Sequence, residues 1–105
     1  MSLEHRWSIR KPVNLEAVMF YRPVGLMNAK IHDLSLEGLC LDTGRVVLPP
    51  NAPVELTFAL NDGRLRLYQM DAVVIHRYKE RHGLMFRSFK LDAFQAIHGM
   101  LYAAA

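Results

Sequence analysis

Val13-Asn14-Leu15-Glu16-Ala17-Val18-Met19-Phe20-Tyr21 places Val13, Leu15, Ala17, Met19 and Tyr21 at every second position. Successive side chains of an extended chain point to opposite faces, so this alternation predicts a strand with one buried face. Arg22-Pro23-Val24-Gly25 follows with turn chemistry, and Leu26 to His32 reads as a second strand that pairs with the first as a hairpin. The polar group from Asp33 to Gly38 ends it.

Working outward, Gly38 to Asp42 predicts a short third strand before Thr43-Gly44-Arg45. Pro49, Pro50 and Pro53 interrupt pairing, because proline has no N–H to give to a ladder. Val54 to Leu60 alternates again as a fourth strand, and Asn61-Asp62-Gly63 supplies a tight hairpin turn. Leu65 to Ile75 and His82 to Phe86 give the fifth and sixth strands, with His76 to Arg81 as a basic connection. Beyond Phe89 the period changes, and Phe94, Ile97, Met100 and Leu101 recur at the three- and four-residue spacings of an amphipathic helix. Asp92 falls in its first turn, where negative charge suits the helix dipole. A lone terminal helix is unstable by itself, so its apolar stripe is expected to cover an opening of the sheet. The expected fold is all-β: a small closed or nearly closed six-stranded antiparallel β-barrel with a C-terminal α-helix over residues 13–105, preceded by an exposed, mobile segment over residues 1–12.

A chain of 105 residues, 51% hydrophobic and 22% charged, is one folded domain with one core. Its size argues against a large enclosed cleft, and no nucleophile with a placed base, carboxylate pair or phosphate-cradling glycine loop is legible; an enzyme is not expected. The formal charge of +3 is unevenly spread. Arg6, Arg10 and Lys11 make the first eleven residues basic, and Arg77, Lys79, Arg81, Arg87 and Lys90 do the same near the end, while the middle is slightly acidic. If the fold joins the two basic segments they form a patch suited to phosphates; the alternative is scattered, solvated arginines. Cys40 is the only cysteine, which excludes an intrachain disulfide and a multi-cysteine metal site, and within Leu39-Cys40-Leu41 it reads as a small packed side chain. The methionines Met19, Met27, Met70, Met85 and Met100 read as core filling, and no metal site is expected from the histidine spacings. No apolar run approaches the ~18 residues of a membrane span and no signal core is present, so a cytoplasmic location without membrane insertion is expected.

Two constellations carry chemistry. Arg6-Trp7-Ser8-Ile9-Arg10 sets two arginines four apart just before the first strand. The planar guanidinium fork matches phosphate oxygens and the O6/N7 edge of guanine, and its flat face stacks on bases. Asp33-Leu34-Ser35-Leu36-Glu37-Gly38 joins a carboxylate, a hydroxyl and a glycine in one turn. An ionised Asp accepts two N–H bonds and so can read the N1–H and N2–H₂ edge of guanine, with Ser35 beside it. The plainer alternative is a side-chain-supported turn in which Gly38 serves the backbone.

Arg-x-x-x-Arg ahead of the first strand with Asp-x-Ser-x-x-Gly at the end of the second resembles the signature of PilZ domains, bacterial receptors for the second messenger cyclic di-GMP. The likeness extends to the Glu4-His5-Arg6 lead-in, the Asp62-Gly63 turn, Gly83-Leu84-Met85-Phe86 and the closing helix. It implies a six-stranded barrel whose N-terminal segment, a flexible ligand-binding arm over residues 1–12, wraps the ligand. In that pattern Arg6 and Arg10 grip phosphates and guanine edges, Asp33 and Ser35 hydrogen-bond a guanine, and Gly38 permits the turn. His5 stands where many members carry a further arginine, a position that influences whether one ligand or an intercalated pair is bound. His5, Trp7 and Arg77 are further candidate contacts, Trp7 by stacking on a base or packing on the barrel, Arg77 by facing phosphate or solvent.

The function expected is a noncatalytic cyclic di-GMP receptor that regulates an effector protein in another chain, with no cofactor. One rival is a PilZ-like protein-interaction module in pilus or motility assembly that binds no nucleotide; members of that kind lose the arginines or the Asp-x-Ser-x-x-Gly turn, and this chain keeps both. Another is a small barrel for single-stranded nucleic acid, but such barrels line one face with aromatics and bases, whereas Phe58 and Phe86 fall on core-facing positions. No DNA or RNA partner is expected.

Overall fold

The first hairpin forms where its alternation requires. The computed structural model describes residues 9–61, 64–88 and 90–102. In it β1 (Lys11–Tyr21) pairs antiparallel with β2 (Gly25–Leu34), from Tyr21↔Gly25 at the turn to Lys11↔Leu34 at the far end. Gly25 turns the chain with φ +95°, a conformation that costs a glycine little and any other residue a Cβ clash. Ala17, Met19, Ala29 and Ile31 point inward and are buried, while Val18, Phe20 and Leu26 stay on the outer face.

Four further strands complete the wall: β3 (Gly38–Asp42), β4 (Pro53–Asn61), β5 (Leu65–Tyr78) and β6 (Arg81–Phe86). Every neighbouring pair is antiparallel, and the order β1-β2-β3-β6-β5-β4 closes on itself. Closure runs through a short seam, Ala17↔Phe58 to Phe20↔Glu55, which pairs what would otherwise be the two edge strands. The inward residues Leu39, Leu41, Leu56, Phe58, Met70 and Val74 join Met19 and Ile31 in one core. At about 1.5–3 kcal/mol per buried large side chain, this core is the main term holding the barrel. α1 (Leu91–Tyr102) lays Ala93, Ala96, Ile97 and Leu101 against it, and Lys11 Nζ donates to the Met100 carbonyl at 3.1 Å, a cation at the negative end of the helix.

Three expectations need correction. The segment from His76 to Arg81 is no mere connection, since β5 runs on to Tyr78 and turns through Lys79 and Glu80 directly into β6. A bulge between Val74 and His76 shifts the register there, and Ile75 to Tyr78 are all exposed, so the pairing leaves no apolar alternation to read. Met85 is not core: it faces outward, 49% exposed, while Met27 and Met100 are only partly buried. Cys40 sits on the outer face, half-buried between Leu39 and Leu41, whose side chains point inward. The Asp62-Gly63 turn lies outside the described residues.

Among the described residues Ser35, Thr43 and His82 are the buried polar side chains, and His82 is the most deeply buried. His82 is 0% exposed, and its Nε2 accepts the Leu48 N–H at 3.1 Å. The proton must therefore sit on Nδ1, which donates to Thr43 Oγ1 at 3.2 Å, and that hydroxyl donates in turn to the Val46 carbonyl at 2.7 Å. This chain pins the connection between β3 and β4 to β6. Burial, with Arg77 as a smaller cause, pushes the His82 pKa below the usual histidine range.

Candidate functional site

The β1–β2 register decides where the site lies. With Lys11 opposite Leu34 and Pro12 opposite Asp33, Arg10 arrives beside the turn that leads into β3. Its Nη1 donates to Asp33 Oδ1 at 2.6 Å, a charge-assisted bond joining the two motifs across 23 positions of sequence. Both side chains remain partly open to solvent.

The turn itself is built by Ser35. Its hydroxyl donates to the Gly38 carbonyl at 3.1 Å and accepts the N–H groups of Glu37 and Gly38, each at 3.2 Å. The backbone adds Ser35 N–H to Gly38 C=O at 2.9 Å. A hydroxyl has one proton and two lone pairs, so the buried Ser35 spends its whole hydrogen-bonding capacity inside the turn. Gly38 is needed for a different reason from the positive φ of a tight turn. A Cβ there would overlap the Leu84 carbonyl oxygen and come within 3.0 Å of Met85 Cα, because β3 and β6 approach closely at this point.

From Asp33 a row of paired residues crosses four strands: Asp33↔Cys40, Cys40↔Gly83, Gly83↔His76. Their neighbours Leu34, Leu39 and Leu84 are buried, so the row lies on the outer wall. The His76 ring covers Gly83, with Nδ1 and Nε2 each 2.9 Å from where a Cβ of residue 83 would stand. A hollow of about 190 Å³ opens here, lined by Arg10 and Glu37 at one side and by His76, Gly83 and Met85 at the other. That is below the ~300–1,000 Å³ of enclosed ligand sites, so the hollow suits part of a larger molecule lying along the wall. Burial, and then Asp33, push the Cys40 thiol up, which keeps it protonated and unsuited to act as a nucleophile.

Of the candidates named from sequence, the structure brings Arg10, Asp33, Ser35 and Gly38 together at one end of the barrel. His5, Trp7 and Arg6 lie outside the described residues. Arg77 is an exposed residue of β5, adjacent to His76 in sequence but not lining the hollow. Glu37 and His76 were missed as site residues. Glu37 lies inside a motif already singled out; His76 is revealed only by the bulge and strand pairing. Among the described residues, no group of three or more His, Cys, Asp or Glu side chains is placed to hold a metal, and no helix is long and apolar enough to cross a membrane.

Comparison with known proteins bears on this arrangement. The family model described as PilZ domain matches residues 4–103. No curated protein matches the sequence. Among solved structures the fold is similar to the Bacillus subtilis inhibitor of motility MotI/DgrA, with TM-score 0.80 and 14% identity over 90% of this chain and 48% of that one. The chain thus spans about half the length of that protein. It is similar as well to the PilZ domain of CeSA from a cellulose-synthesizing bacterium, with TM-score 0.69 and 17% identity over 90% of this chain and 95% of that one. A third neighbour is the PilZ domain of Escherichia coli YcgR with c-di-GMP, with TM-score 0.71 and 14% identity over 95% of this chain and 91% of that one. At such identities the likeness speaks for the closed six-stranded barrel with its terminal helix, and the family match, which covers nearly the whole sequence with both motifs inside it, speaks for descent: the chain belongs to the PilZ domain family.

Proposed function

We propose that this PilZ domain is a noncatalytic cytoplasmic receptor for cyclic di-GMP that regulates an effector protein in another chain. The observation that carries the reading is the contact between Arg10 and Asp33, which sets a phosphate- and guanine-binding cation beside a guanine-reading carboxylate at the rim of one hollow. In this reading Arg6 and Arg10 hold phosphates and guanine edges, and Asp33 accepts the N1–H and N2–H₂ of one guanine. Ser35 and Gly38 hold the turn that aims Asp33, a part that the closed hydrogen bonding of the Ser35 hydroxyl favours over direct contact. His5 and Trp7 approach the ligand from the arm, and Arg77 from β5. The c-di-GMP in the YcgR neighbour and the motility inhibition named for MotI support a second-messenger output of this kind.

The part of the arm ahead of β1 (Lys11–Tyr21) orders on the ligand and so changes the surface offered to the effector. Fixing each arm residue costs roughly 1–2 kcal/mol of backbone entropy, which charge-assisted bonds of about 1.5–3 kcal/mol each offset only when the ligand is present. Calorimetric titration with cyclic di-GMP tests the reading and gives the stoichiometry that His5 influences. Binding that survives undiminished in the Arg6→Ala/Arg10→Ala double variant overturns the site. Asp33→Ala should reduce the preference for guanine over adenine cyclic dinucleotides, and amide exchange in the arm ahead of β1 should slow on binding.

A further inference from the structure

A second surface lies on the wall built by β2, β1, β4 and β5, and strand register writes it out in rows. Leu26↔Phe20, Phe20↔Glu55 and Glu55↔Asp71 make one row; Asn28↔Val18, Val18↔Thr57 and Thr57↔Gln69 make the next; Lys30↔Glu16 and Ala59↔Leu67 belong to the third. The apolar members cross these rows as a diagonal stripe, from Leu26 and Phe20 through Val18 to Ala59 and Leu67. Leu26 and Leu67 are 73% and 74% exposed, and Val18 and Phe20 are exposed as well. Hollows of about 340 Å³ open on either side of Val18, one lined by Leu26 and the other by Leu67. A contiguous apolar stripe with a polar rim is the mark of an interaction surface.

The two flanks of the stripe differ in charge. On one side stands Lys30, 3.8 Å from Glu16. On the other, Glu55 and Asp71 are directly opposite each other, a pairing of like charges that weakens a sheet. Arg22 and Arg87 line the hollow beside these carboxylates, yet among the described residues neither carboxylate closes an ion pair.

We propose that this face is the contact between two copies of the chain, related by a two-fold axis running along the apolar stripe. Such an axis lays the stripe on its own copy, so that exposed leucines of each chain enter the hollows beside Val18 of the other. It also exchanges the two flanks, which sets Lys30 of each chain over the Glu55 and Asp71 of the second copy and supplies the cation their pairing lacks. Four strands about 4.8 Å apart and about nine residues long make a face of roughly 19 by 30 Å. Two such faces bury about 1,200 Å², the lower end for a specific interface, so the dimer forms in a concentration-dependent way. The face shares no residue with the hollow beside Arg10, and the inference is independent of the cyclic di-GMP reading.

The test is sedimentation equilibrium of the whole chain without nucleotide, from about 1 μM to about 1 mM. The mass should rise from one chain toward two. Leu26→Glu/Leu67→Glu should weaken association by about tenfold or more. Lys30→Glu and Glu55→Lys should each weaken it alone, and an equimolar mixture of these two variants should regain it, because a two-fold contact restores both opposite-charge pairs in the mixed dimer. A single-chain mass throughout the range overturns the proposal and leaves the face to a different protein. Association that survives Leu26→Glu/Leu67→Glu, or a mixture no tighter than either charge variant alone, overturns it too. Thermal melts of each variant show that the barrel is intact, since all four side chains are exposed.

Discussion

Replacing Gly38 by alanine tests the account of why the Asp-x-Ser-x-x-Gly turn needs its glycine. The φ at Gly38 is not in the left-handed region, which Gly25 and Gly44 occupy, so the backbone conformation would accept alanine. The obstruction is the new methyl, which would overlap the Leu84 carbonyl oxygen on the facing strand, a backbone atom that cannot swing aside. Forcing β3 and β6 apart at this point should cost about 1–3 kcal/mol, less the roughly 0.4–1 kcal/mol gained by stiffening the unfolded chain. For a domain of this size about 1–2 kcal/mol net lowers Tm by roughly 4–16 °C. Gly99, inside α1 with nothing within 4 Å of an added Cβ, supplies the opposite sign. Gly99→Ala should raise stability by roughly 0.5–1 kcal/mol through helix propensity. Thermal melts followed by circular dichroism, with urea titrations for the free energies, read both. A Gly38→Ala protein that melts with the wild type would refute the close-approach argument, and the Gly99→Ala result would show whether the assay could have seen the change.

Three more outcomes are expected. His82 has a lowered folded pKa, so the unfolded chain takes up its proton first as the pH falls; the stabilisation from neutral His82 is complete above about pH 6.5 and is lost as the pH drops toward the lowered folded value. Urea titrations should show unfolding free energy falling through this window with a slope of up to about 1.4 kcal/mol per pH unit, and His82→Gln should be less stable with a shallower slope. Arg10→Ala and Asp33→Ala should leave Tm nearly unchanged, because a partly exposed ion pair contributes about 0–1 kcal/mol, while affinity for cyclic di-GMP falls by about tenfold or more. Ser35→Ala should cost about 1–3 kcal/mol by leaving turn N–H groups unpaired, so loss of affinity there accompanies loss of Tm.

The strands of the first hairpin and of β4 were legible because each has one wet and one dry face, which writes the period of two into Val13 to Tyr21 and Val54 to Leu60. The helix was legible for the same reason at another period, although its buried stripe runs through Ala93 and Ala96 as well as Ile97 and Leu101, while Phe94 lies only half-buried. The hairpin of β5 and β6 past the bulge was not, since residues exposed on both sides of the chain carry no alternation. Both motifs could be found because their residue types are chosen by chemistry, and the chemistry of Arg10 and Asp33 does not depend on knowing where each stands.

How the residues of the candidate site are arranged was settled elsewhere. That Arg10 meets Asp33, that Ser35 closes its own turn, that Gly38 clears a carbonyl and that His76 lies over Gly83 are consequences of register across four strands. By itself the sequence determined the family, the number of strands and the two motifs, all of which depend on local pattern. The tertiary structure alone decided which groups share the hollow, because contacts between distant residues are selected by barrel closure, and a single bulge moves every later side chain from one face to the other.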